Sequence, residues 1–228
     1  MQFIKREDQW ADGKKRLQND QFETRCDGEW WEKFKKGHKS AFDYIYHTYS
    51  RQLFNYGCHL CNDRELVKDC VHDLFASLIK NRSRLGKTDS IKFYLLKAFK
   101  RRLLRLLKKQ SNAKQREGIY GRENFRLSIS DDSISLDNTI PKEVKEHIQK
   151  TVNRLPASQR EAVILFYYEG LSYGEIADLM NLSRVKSARA LIYRAVASLT
   201  KKIGPVQKVF VLAAMLLHQI WFWHFMSK

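Results

Sequence analysis

Proline is scarce in this chain, three residues in 228, and glycine supplies only ten. Such scarcity removes the punctuation that a protein of many short strands and tight turns depends on. No stretch alternates apolar and polar residues at the period of two that a half-buried strand requires, so the fold is expected to be all-α. Acid is also in deficit. Lys and Arg number 42 against 25 Asp and Glu, a formal net charge of +17. An excess of that size calls for a polyanionic partner, either nucleic acid or an anionic membrane surface.

No apolar segment opens the chain. MQFIKREDQWADGKKRLQND carries acids and lacks an apolar core, so it is not read as a secretory signal, and the protein is expected in the cytoplasm. The four cysteines, Cys26, Cys58, Cys61 and Cys70, are then expected to be reduced thiols. Cys58 and Cys61 have metal-ligand spacing and His72 lies near Cys70, but no second CxxC accompanies them. Cys58, Cys61 and Cys70 sit in helical apolar patterns, where a thiol behaves as a small hydrophobe, so no metal or other cofactor is expected. Also missing are a paired acid and base, a nucleophile constellation and a Gly-rich phosphate loop. The chain is not read as an enzyme.

What is present is organised around Leu155 to Lys202. Pro156 stands just inside the start of a first helix, and Gly170 marks its end. Ser172 caps a second helix, with Glu175 completing a capping box and Ile176, Ala177, Leu179 and Met180 facing inward. Asn181-Leu182 makes a turn. Ser183 then caps a third helix, in which Val185, Ala188, Ile192, Ala195, Val196 and Leu199 share the inner face. Lys186, Ser187, Ala190, Tyr193 and Arg194 are left outside, with Arg184 and Arg189 at the edges. Short residues let a helix approach a groove, and Arg and Lys reach base edges or phosphates. This is the layout of a DNA-recognition helix; the plainer reading is a three-helix packing unit with a solvated basic face.

Upstream, the aromatics from Trp30 to Tyr56 recur at helical spacing, with a break near Gly37, and are most simply core. Asn62-Asp63 caps a helix from Arg64 to about Lys80, whose apolar stripe is Leu66, Val67, Cys70, Val71, Leu74 and Leu78. Its other side gathers Glu65, Asp69, His72 and Asp73. That acidic patch is either a solvated face or a docking surface for a basic partner. After the loop NRSRLGKTDS, the helix Ile91 to Gln110 is strongly polarised: Ile91, Leu95, Phe99, Leu103 and Leu106 on one side, Lys97, Arg101, Arg105 and Lys108 on the other, with Tyr94 among the cations. Cations with an interleaved ring suit single-stranded nucleic acid, since the charges follow phosphates and the ring stacks on a base. Anionic lipid is the competing partner. Residues 111–140 lose periodicity and end in a Ser- and Asp-rich run, a flexible linker. The final segment, 204–228, is expected to be a hydrophobic helical tail, in which Val209 to Met226 is close to bilayer-spanning length. Two histidines and a glutamine leave membrane anchor and protein-packing helix both open.

Together these motifs resemble a bacterial RNA polymerase sigma factor of the sigma-70 family, in its extracytoplasmic-function group. LPASQREAVILFYYEGLSYGEIADLM is similar to the opening of that family's region four, and ELVKDCVHDLF to the part of region two that grips the polymerase. The resemblance implies a leader (1–28), a region-two helical bundle (29–110), a flexible linker (111–140), a region-four helix-turn-helix (141–203) and a hydrophobic C-terminal helix (204–228). It implies that Glu65, Asp69, His72 and Asp73 meet the β′ coiled coil of core RNA polymerase and that region four meets the β flap. The Arg82 to Ser90 loop with Tyr94, Lys97, Arg101 and Arg105 would melt and read the −10 promoter element. Arg184, Lys186, Ser187, Arg189 and Arg194 would read the −35 element. An anti-sigma factor is a further implied partner. The spacing from Met180 to Ala195 runs one residue longer than the family's, and Ala188 is expected to take the inward place where the family's register would put Ser187. A tail-anchored dimeric helix-turn-helix regulator and a basic membrane-surface protein are the alternatives.

Overall fold

The computed structural model describes residues 27–115 and 142–202. The leader up to Cys26, the linker from residue 116 to 141 and the apolar tail from residue 203 lie outside the described residues, and with them the expectations placed there. Among the described residues every element is helical. They are α1 (Asp27–Lys35), α2 (Lys39–Leu60), α3 (Arg64–Asn81), a 3₁₀ turn (Arg82–Arg84), α4 (Ile91–Gln115), α5 (Lys142–Asn153), α6 (Ala157–Val163), a π turn (Ile164–Tyr168), α7 (Tyr173–Leu179) and α8 (Val185–Lys202). No described helix is long and apolar enough to cross a membrane.

Two compact units result. One joins the described residues up to Phe54 with Lys68–Leu103; the other joins Asn55–Val67 with the described residues from Leu104 onward. In the first, Trp30, Trp31, Phe34 and Tyr49 form core with Ile45 and Leu53 of α2, Val71, Leu74, Phe75 and Leu78 of α3 and Ile91, Leu95, Phe99 and Leu103 of α4, while Phe42, Tyr44, Tyr46 and Phe54 are half-buried. Gly37, at φ 89°, makes the break between α1 and α2 in a region where an L side chain is strained. Two members of the expected apolar stripes, Leu66 and Leu106, stay half-exposed, while Phe75 and Leu96 are buried beside them.

The second unit takes its core from Val152, Leu155, Val163, Ala195 and Leu199, with Tyr167 packed against them. Tyr56, fully buried, donates its hydroxyl to Glu161 Oε1 at 3.1 Å. Burial first, and the Glu161 carboxylate second, push that phenol well above its ordinary pKa. It therefore stays a donor.

The caps read from sequence are largely in place. Asp63 Oδ1 accepts from the Leu66 N–H at 3.0 Å, opening α3. Ser172 Oγ accepts from the Glu175 N–H at 3.3 Å while Glu175 Oε2 accepts from the Ser172 N–H at 2.8 Å, closing the capping box of α7. Ser172→Ala leaves orphan helix donors and is expected to cost about 1 kcal/mol, read as a lower thermal midpoint of the helix-turn-helix unit.

Three details depart from the sequence reading. Pro156 is the residue before the first helical turn, since α6 starts at Ala157. The first helix does not run evenly to Gly170: from Ile164 it widens into a π turn, with the Glu169 N–H donating to Ile164 O at 3.0 Å, and Gly170 at φ 65° ends it. One extra residue is thereby accommodated before the cap. The third helix begins at Val185, leaving Ser183 two residues ahead of it, and Val185 itself is 49% exposed and not inward.

Candidate nucleic-acid interface

The helix-turn-helix is built from α6, α7 and α8. Asn181 takes φ 54°, which its short polar side chain tolerates, and the Leu182 N–H donates to Ala177 O at 2.7 Å, so α7 ends and the chain reverses within a few residues. Ala188, Ile192, Ala195 and Leu199 of α8 are buried and Val196 is half-buried. With that face fixed, Arg184, Lys186, Arg189 and Arg194 are all exposed. Ser187 is only half-exposed, at the edge of the outer face, and Ala188 beside it is the inward residue, as its helical angle requires.

Neighbours hold two of these cations. The Arg189 guanidinium lies 5.1 Å from the centre of the Tyr173 ring, and Tyr173 stacks on Phe166 with centroids 4.8 Å apart. Such a contact orients Arg189 while leaving its donors free to turn outward. Arg194 Nε donates to Ala190 O of its own helix at 3.1 Å. Tyr193 is 61% exposed on the same face. Beneath it Tyr167 has its pKa pushed up to about 12, by burial first and by Tyr173 and Tyr193 after that.

On α4 the two sides separate in part. Arg101, Leu104, Arg105 and Lys108 are exposed opposite the buried Leu95, Phe99 and Leu103. Lys97 and Tyr94 are half-buried. The Lys97 ammonium lies 5.7 Å from the Phe93 ring centre, and the Tyr94 ring is 4.8 Å from Trp31 at 58°. Two anchors start the helix: Ser90 Oγ accepts from the Phe93 N–H at 3.1 Å, and Asp27 Oδ2 accepts from the Ile91 N–H at 2.9 Å. A carboxylate at a helix N-terminus is favourably placed against the helix dipole.

On α3, Glu65, Asp69 and Asp73 are exposed and His72 is half-exposed, spaced i, i+4, i+8 and i+7 along one face. Asp73 also accepts from Arg102 Nη2 at 3.0 Å. Cys58, Cys61 and Cys70 are free thiols with raised pKa values, Cys70 at about 11, chiefly through burial. Thiols so shifted stay protonated and poorly reactive.

The sigma-70 region 2 family model matches residues 45–113 and the sigma-70 region 4 family model residues 145–199, together more than half of the chain and in the family's order. The chain belongs to the sigma-70 family. Relatives of this sigma factor include the ECF RNA polymerase sigma factor SigK of Mycobacterium ulcerans (strain Agy99), 23% identical over 155 residues, 67% of this chain and 81% of that protein. SigM of Bacillus subtilis (strain 168), also an ECF RNA polymerase sigma factor, is 22% identical over 162 residues, 68% of this chain and 90% of its own length. Among solved structures, the sigma factor RpoE in complex with the anti-sigma factor NepR from Bartonella quintana matches with a TM-score of 0.53 at 18% identity, over 70% of this chain and 94% of that one. The shared fold is all-helical.

Two residues of the sigma factor join the candidate surface unforeseen. Val185 extends an exposed apolar side chain at the start of α8. Tyr173 steadies Arg189 from the first turn of α7. A sequence reading that gives Val185 to the inner face by periodicity alone passes over it, because the first turn of a helix overhangs the core.

Proposed function

We propose that this sigma factor binds core RNA polymerase and directs promoter-specific initiation, reading the −35 element as duplex with α8 and the −10 element as a melted strand with the Arg82 to Ser90 loop and α4. The observation that carries the reading is the exposed cationic face of α8, Arg184, Lys186, Arg189 and Arg194, standing over a buried Ala188, Ile192 and Ala195 on a helix-turn-helix whose α7 is closed by a capping box. Buried small residues let the helix sit close to its support, and the cations outside supply phosphate and base-edge contacts.

In the same reading the acidic face of α3 meets the β′ coiled coil, region four meets the β flap, and an anti-sigma factor occludes one or both. The protein supplies no catalytic step; bond formation belongs to the polymerase. The domain limits 29–110 and 141–203 are part of this proposal.

Lys186→Ala with Arg189→Ala is expected to lower occupancy of the −35 element about ten-fold or more, since each lost base or phosphate contact weakens binding by about 1 kcal/mol or more. Footprinting of the polymerase complex on promoter DNA measures it, with protection at −10 retained on a pre-melted template. Equal protection by the double variant and the parent would reject the role of α8. Binding to symmetric half-sites without core would favour a dimeric regulator instead.

A further inference from the structure

The loop between α3 and α4 is polar and outward: Arg82, Ser83, Arg84, Gly86, Lys87 and Asp89 are all exposed. Beyond its opening 3₁₀ turn it has no repeating backbone bonds to hold it. A connector of this kind would sample many conformations, and ordering it costs conformational entropy at every residue. It is nevertheless tied to α1 and the turn after it at three places. The Arg82 side chain lies over Gly37, where a Cβ would come within 3.3 Å of Nε. The carbonyl of Gly86 accepts from the Trp31 indole N–H at 2.8 Å, across 55 residues of sequence. The far end is fixed where Asp27 receives the Ile91 N–H.

Trp31 is the centre of this arrangement. It is 1% exposed, so it cannot itself touch DNA. Its ring packs against Phe34 and against Tyr94 of α4, with centroids 5.6 and 4.8 Å away. Its single polar atom is directed to a carbonyl at the middle of the loop. A buried indole N–H needs an acceptor, and here the acceptor belongs to the loop and not to the core around it. One side chain thus fixes both the loop, through Gly86, and the aromatic of the adjoining helix, through Tyr94.

We propose that Trp31 is a positioning residue for base readout, setting the Arg82 to Ser90 loop and Tyr94 in register with each other so that an unstacked base meets both. The inference rests on the reading of that loop as part of −10 recognition. Discrimination between bases requires groups held to a fraction of an ångström, and an exposed loop reaches that only through buried supports.

The test uses the full chain with core polymerase and a promoter, found by transcription from its own genome, carrying each base in turn at every −10 position. Trp31→Phe removes the donor. β-(3-Benzothienyl)alanine at Trp31 keeps the ring's size and replaces only the N–H with sulfur, which guards against a packing defect. The preference for the best over the worst base at one or more −10 positions is expected to fall about five-fold, the equivalent of one hydrogen bond, while core capture and −35 protection stay within two-fold of the parent. Unchanged base preference in the benzothienyl protein would overturn the proposal. So would a uniform loss of transcription with the preference ratios intact, the mark of a purely structural role. If the parent protein shows no base preference at −10, the underlying reading fails in that arm alone.

Discussion

Replacing Asp69 and Asp73 together by lysine is expected to lower capture of core RNA polymerase at least about 100-fold, because, if the acidic face of α3 docks on a basic surface as proposed, reversing two charges there sets like charges together at a cost of several kcal/mol. The helices should survive. Both side chains are exposed, and the ion pair of Asp73 with Arg102 at 3.0 Å joins side chains that are 61% and 35% exposed. Pairs that open to water contribute about 1 kcal/mol or less. Arg102→Ala is the control: it breaks the same pair without adding positive charge, and near-normal capture is expected. Pull-down of core enzyme with circular dichroism on each variant decides the matter. Undiminished capture by the double lysine variant would remove α3 from the polymerase interface.

The second large effect is expected at promoter opening. Arg101 and Arg105 are exposed one turn apart on α4, opposite Leu95, Phe99 and Leu103. Each cation that follows a phosphate of a single strand releases condensed counterion and contributes about 0.7 to the slope of log affinity against log salt. Arg101→Ala with Arg105→Ala should therefore flatten that slope by about 1.4 and slow open-complex formation about ten-fold or more at moderate salt. A pre-melted bubble template distinguishes capture of the strand from the closed complex, which should change little. Permanganate reactivity of unpaired thymines reports the opening; equal reactivity with and without the two arginines would take α4 out of strand capture.

Much of this architecture is legible in the chain because its signals are local. Asp63, Ser172 with Glu175, Gly37 and Gly170 act within one helical turn of themselves, and each stands where its chemistry placed it. Ala188 is buried and Ser187 lies at the edge because helical angle decides the matter. What was not legible depends on distant partners. Asp27 reads as a residue of an uninformative leader, yet it receives the Tyr49 hydroxyl at 3.3 Å and the first N–H of α4. Tyr94 reads as a ring free to stack, whereas it is half-buried against Trp31, with centroids 4.8 Å apart. Asp73 reads as one of four equivalent groups, whereas Arg102, 29 residues on, engages it. The π turn at Ile164–Tyr168 has no sequence mark, since the same apolar residues would suit an ordinary helix.

Run-off transcription with the purified full chain, core RNA polymerase and a library of upstream fragments from its own genome tests the central claim most directly. Transcripts that require both the protein and core, starting downstream of an asymmetric pair of elements, are the predicted result. Tight binding to symmetric sites without core, and no transcript when core is added, would contradict it.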